Sequence, residues 1–185
     1  MADTENVTTK FKVDISDLKK NVAEANRRIK TYNAEIKNAS AGMEKGEESV
    51  DSLSKKIEAQ SKVVDAEKSK LDALKQQLEK YNAKLDEGET VIEDLTKKHD
   101  EAKKAYGENS DEVKALAKQL KDAQAAQERN KTAAENLNVQ IINQDTAVKN
   151  AEAQVKNYQS ALNKMQTERL LGSNKNHLGN CFRLG

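Results

Sequence analysis

The chain has 185 residues, of which 36% are hydrophobic, 3% aromatic and 34% charged, with no Pro, no Trp and a net charge of +1. An average soluble domain is about 45–50% apolar and about 5% Pro. The composition therefore excludes a thick globular core and favours long uninterrupted helix over disorder, given the abundance of Ala, Lys, Glu, Gln and Leu. Charges of both signs interleave, so no sustained positive field exists for a phosphate backbone and nucleic-acid binding has no support.

Residues 1–14 read as an N-terminal leader. In "VTTKFKVDIS" the residues Val7, Thr9, Phe11, Val13 and Ile15 alternate, which predicts a short strand-like leader; the competing reading is a helix N-terminal leader whose alternation is accidental. "MADTENVTTK" lacks the apolar segment of a secretory signal, and the lone Cys181 leaves no internal disulfide and fits a reducing compartment.

From residue 15 to 167 the dominant signal is a heptad-like apolar rhythm. One register runs through Ile15, Val22, Ile29, Ile36, Val50, Ile57, Val64, Leu71, Leu78, Leu85, Ile92, Val113, Leu120, Ile141, Val148, Val155 and Leu162. Its companion carries Leu18, Leu53, Leu74, Leu95, Leu116 and Leu137. These are the a and d positions of a coiled coil, so the expected class is all-α: long helices forming an elongated coiled coil. Polar residues on the seam (Gln60, Glu67, His99, Asn109, Asn130, Gln144) are expected to tune register or oligomer number.

Three places weaken the helix: Gly42 and Gly46 within 42–47, Gly88, and "YGENSDEV" around Gly107, where Asn109 and Glu112 resemble a capping box. Each Gly disfavours helix by about 1 kcal/mol relative to Ala. The seam nevertheless keeps phase across all three, as in Tyr106 to Val113, so they are expected to be hinges or in-phase joints. Continuous helix from 15 to 165 would run on the order of 225 Å. From residue 168 to 185 the periodicity stops and Gly accumulates, which predicts a flexible tail.

Pairing across an in-register parallel dimer gives no selection, because Lys70 with Lys75 and Lys98 with Lys103 would repel while Asp14 with Lys19 and Lys84 with Glu89 would attract. In the second half, flanking positions turn small (Ala105, Ala126, Ala133, Ala147, Ala161). That suits three or more helices, or close antiparallel packing, and self-association through the seam is expected. No catalytic motif, phosphate loop or Cys/His ligand spacing occurs, so no catalytic, cofactor or metal residues are expected, and no run approaches the ~18 apolar residues of a membrane span.

"KFKVDISDLKKNVAEANRRIKTYNAEIKNASAGM" (Lys10 to Met43), followed by "SVDSLSKKIEAQSKVVDAEKSKLDALKQQLEKY" and "KKAYGENSDEVKALAKQL", resembles the N-terminal region of tail tape measure proteins from phages and prophages of Gram-positive bacteria. The resemblance covers about residues 10 to 165. It implies a helical rod in the tail lumen that scaffolds tube assembly and helps set tail length, assembled in the host cytoplasm with tail tube and other tail proteins. Such proteins are several times longer and carry membrane-active segments, so the chain is expected to be a fragment of a longer one. The alternative is a coiled-coil adaptor or assembly chaperone presenting a helical face to a partner.

Overall fold

The computed structural model describes residues 7–41 and 48–181, and among these every regular element is a helix. The elements are α1 (Val7–Lys10), α2 (Ser16–Asn38), α3 (Val50–Tyr106) and α4 (Asp111–Cys181). The leader is not a strand. Val7–Lys10 forms one helical turn, closed by the Lys12 amide donating to the Thr9 carbonyl (3.2 Å), and residues 12–15 are irregular. Alternation alone could not make a strand here, because a strand must pair with another and none exists among the described residues.

Each long helix begins on a local cap. At α2 the Asp14 carboxylate accepts from the Ser16 amide (3.0 Å) and hydroxyl (2.7 Å). These bonds, Ser16's hydroxyl foremost, hold the Asp14 carboxyl below its ordinary pKa. At α3 the Ser49 hydroxyl accepts from the Ser52 amide (3.0 Å).

The stretch 107–110 is a hairpin turn, which corrects the expected in-phase joint. Gly107 adopts φ +81°, the left-handed region that closes a helix C-terminus. Its amide donates to the Lys103 carbonyl (3.1 Å), and the Ser110 amide then donates to the Gly107 carbonyl (3.3 Å). Ser110, not Asn109, caps α4: its hydroxyl accepts from the Val113 amide (3.3 Å), three positions on. Asp111 and Glu112 follow in the first turn, where negative charge suits the helix dipole. The seam could not reveal this reversal, because an in-phase rhythm brings apolar faces together whether the second helix continues or returns. Ser110→Ala should therefore lower stability by about 1 kcal/mol, whereas Asn109→Ala should stay within about 0.5 kcal/mol; thermal unfolding followed by circular dichroism separates the two.

Two further expectations change. Gly88 lies inside α3, which runs through it without the break expected there; a packing reason for the glycine is given below. The stretch expected as a flexible tail is helical as far as Cys181. Leu170 and Leu171 are exposed on it, so this end of α4 extends a helix already nucleated and packed upstream, adding one backbone bond per residue. Gly42 and Gly46 lie outside the described residues.

The chain divides into two compact units, the first built from Met1–Lys20 with Asp72–Asn143 and the second from Asn21–Leu71 with Gln144–Gly185. In the first, Phe11, Leu95, Ala123 and Ala126 form a buried cluster with Val91, Ile92, Leu116 and Leu120 against it. In the second, Val63, Val64 and Ala151 are buried beneath Ile29, Tyr32 and Ile36 of α2, with Val155. Within each unit α3 and α4 run antiparallel. Gln127 reaches Leu85 in the first, and in the second Gln144 reaches Glu67 while Gln60 reaches Ala151.

Candidate functional site

The aliphatic seam residues named above are all at least half-buried. Ile15, Leu18, Leu53, Val64, Leu71, Leu74, Leu95, Val113, Leu137 and Val148 are buried; Val22, Ile29, Ile36, Val50, Ile57, Leu78, Leu85, Ile92, Leu116, Leu120, Ile141, Val155 and Leu162 are half-buried. A second buried stripe on α3 was not anticipated. It comprises Ser52, Lys56, Ala59, Val63 and Ala66 in the second unit and Ala73 and Gln77 in the first. In the second unit α3 has α2 and α4 as neighbours, and one seam cannot face both. The signal was present in Ala59, Ala66 and Ala73, each seven residues apart, but small and polar residues carry little weight in an apolar pattern.

Four inward-facing side-chain amides are aimed at distant backbone carbonyls. In the first unit Asn130 Nδ2 donates to the Phe11 carbonyl (2.9 Å) and Gln127 Nε2 to the Leu85 carbonyl (2.8 Å). In the second, Gln144 Nε2 donates to the Glu67 carbonyl (3.0 Å) and also to its carboxylate, and Gln60 Nε2 lies 3.4 Å from the Ala151 carbonyl. The carbonyls of Leu85, Glu67 and Ala151 lie in helices, and a helix carbonyl has a second lone pair free beyond its own ladder bond, so those three bonds join helices without unwinding either. The Asn130 bond instead holds the non-helical Phe11. Of the other polar seam residues, His99 is half-buried beside Asp100 and Asn109 is exposed in the turn.

Charge reinforces the same joints at the rim. In the second unit Lys68 pairs with Glu152 across α3 and α4 (2.7 Å). The hydrogen bond first, and the paired charge second, hold Glu152 below and Lys68 above their ordinary pKa values. Both are well solvated, so the contribution is small. It is present above the unfolded carboxyl pKa and fades as pH falls through the lower folded value; at the other end it is lost as pH rises through the raised lysine pKa. Lys56 is nearly buried, paired with Glu48, with its ammonium 5.7 Å from the Tyr158 ring centroid. Ser52, one turn earlier, is fully buried with its hydroxyl unpartnered.

Gly88 explains itself through what lies on it. A Cβ there would fall onto Gln127 Oε1 and stand 2.5 Å from Phe11 Cε1. The glycine lets the Phe11 ring and the Gln127 amide close down on the α3 backbone. Gly88→Ala gains about 1 kcal/mol of helix propensity but overpacks this contact at a cost of about 1–3 kcal/mol. Net destabilisation is the expected result in a denaturant titration, the reverse of what an open helix position would give.

Among the described residues no group of three or more His, Cys, Asp or Glu side chains is placed to hold a metal ion, and no helix is long and apolar enough to cross a membrane. The arrangement defines an all-helical protein in which the amides of Gln60, Gln127 and Gln144 join α3 and α4. No family model, curated protein or solved structure matches the chain.

Proposed function

We propose that the chain is a structural module of a phage tail, a folded part of a tape-measure-type protein that scaffolds tube assembly in the tail lumen and contributes to tail length. The order of sequence motifs from Lys10 to Leu120 supports the tail setting. The observation that carries the structural role is that the inward-facing amides of Gln60, Gln127 and Gln144 join α3 and α4, while that of Asn130 ties α4 to the chain at Phe11. In this reading the antiparallel helices pack as a coiled coil, the outward charged faces meet tail tube and other tail proteins, and the module is assembled in the host cytoplasm before it is enclosed.

The hairpin alters the arithmetic of such a ruler. A helix advances about 1.5 Å per residue, so a hairpin advances about 0.75 Å per residue of chain. Four heptads inserted in each arm, at matched exposed positions of the first unit, should lengthen tails by about 42 Å if the hairpin is the measuring element, and by about 84 Å if the chain straightens. Electron micrographs of tails carrying the insertion read the difference. Unchanged tail length would remove the ruler, and failure to co-assemble with tube subunits would remove the tail setting. The adaptor reading draws on Val139 and Ile142, exposed apolar residues one turn apart on α4. It requires a stoichiometric complex with a partner outside any tube.

A further inference from the structure

The start of the chain is seated on the first unit by a side-chain socket rather than by continuous secondary structure. Phe11 is 3% exposed, in a cluster with Leu95, Ala123 and Ala126 and with its ring edge on Gly88. Glycine and two alanines leave an aromatic-sized gap between α3 and α4, and the Phe11 ring fills it. Asn130, itself 8% exposed, reads the segment's main chain by donating to the Phe11 carbonyl. Gln127 Oε1, turned toward Gly88 at the edge of the same socket, is buried without a partner.

The segment's own structure is slight. α1 has four residues, below the length at which a helix sustains itself. The next element has separate anchors. Asp14 caps Ser16, its carbonyl accepts from Lys80 Nζ (2.9 Å), and Ile15 and Leu18 are buried. Residues Val7–Phe11 can therefore leave their seat about the irregular Lys12–Val13 link while α2 keeps its start. Such an opening uncovers the Phe11 ring and the Asn130 amide but leaves the anchors of α2 in place.

We propose that the Gly88–Ala123–Ala126 socket is a segment-binding site, and that its occupant in the assembled protein is Val7–Phe11 of a second copy. The fit of that occupant is already visible, because the chain's own segment fills the socket with its ring and satisfies the Asn130 amide. An identical segment from a neighbour makes the same contacts, so exchange is close to neutral in contact energy. Its extent is governed by the local concentration of copies against the effective concentration of the tether. Isolated molecules keep their own segment, and crowded molecules trade them. The proposal stands apart from the tail reading, since it requires only copies held close together.

Two measurements test it. Full-length Phe11→Ala has an open socket and a disabled segment; full-length Gly88→Leu has a blocked socket and an intact, displaced segment. Each alone should fail to pair through this contact, and mixing them should give a one-to-one complex in sedimentation. A mixture with wild-type helix content that remains monomeric at millimolar concentration overturns the proposal. Should either variant lose helix content, the wild-type protein decides: in a millimolar sample mixing isotope-labelled and unlabelled chains, intermolecular Overhauser contacts should join the Phe11 ring to the Ala123 and Ala126 methyls. Contacts confined to single chains in that sample also overturn it.

Discussion

Truncating Leu53 to alanine should lower stability by about 2–5 kcal/mol, the range for a buried leucine whose cavity does not collapse. Leu53 is 0% exposed, and its neighbour Ser52 is equally enclosed. Two effects oppose each other at this position. Alanine is the better helix former, but only by a few tenths of a kcal/mol over leucine, so the lost burial dominates. Leu170, 70% exposed on α4, is the matched control, and its alanine variant should stay within about 0.5 kcal/mol. In denaturant the Leu53 variant should move its midpoint with little change in slope, provided that the chain unfolds in one step. If the two units unfold separately, amide exchange should locate the loss in the second unit, for example at Ala151. A loss below about 1 kcal/mol would mean that the residue is not enclosed.

The second large effect is a matter of sign. In a continuous helix, replacing Gly107 with alanine would stabilise the protein by about 1 kcal/mol. In the hairpin, Gly107 sits at φ +81°, where a Cβ is disfavoured by about 1–2 kcal/mol. No neighbouring atom lies within 4 Å of the position a Cβ would take, so packing contributes nothing and the backbone alone decides the outcome. Gly107→Ala should therefore destabilise, and Gly107→Asn should recover part of the loss because asparagine tolerates the left-handed region. A stabilised alanine variant would remove the turn and restore the joint. The Lys103–Glu108 pair spanning the turn (2.9 Å) does not alter this expectation, since its carboxylate is well exposed and screening keeps its contribution small.

The sequence made the helices legible and their direction illegible, for a physical reason. A heptad rhythm states which residues seek cover but not whether the cover comes from above, beside or behind in the chain. Tyr106 and Val113 stay in step across 107–110, yet Tyr106 is 63% exposed while Val113 is 4% exposed. The local chemistry held the answer: Gly107 as a helix stop and Ser110 as the next cap, one residue beyond the expected Asn109. Gly88 misled in the opposite way. A glycine within a helical pattern weakens it by propensity, but here a phenyl ring and an amide rest on it, and those partners lie far away in sequence. The second stripe of α3 escaped because Ser52, Lys56 and Gln77 are inward-facing without being apolar. Gln60, Asn130 and Gln144 are among the polar seam residues expected to tune register and Gln127 is not, but the acceptors of all four, backbone carbonyls of distant segments, have no signature in a sequence.

Those amides also bear on mechanics. A repetitive apolar seam is a poor brake, because a slip of seven residues brings like against like. The amides of α4 do not repeat in that way. A seven-residue slide would put Ala134 or Leu120 at the place of Gln127, and Leu137 or Ala151 at that of Gln144. The hydrogen bonds would be stripped and the displaced amides pressed against hydrocarbon, costing about 1–3 kcal/mol for each unmet group. Sliding one helix along its neighbour thus meets discrete stops, whereas peeling the two apart from the turn breaks contacts one at a time. A protein built in this way resists shear along its helices far better than it resists being unzipped.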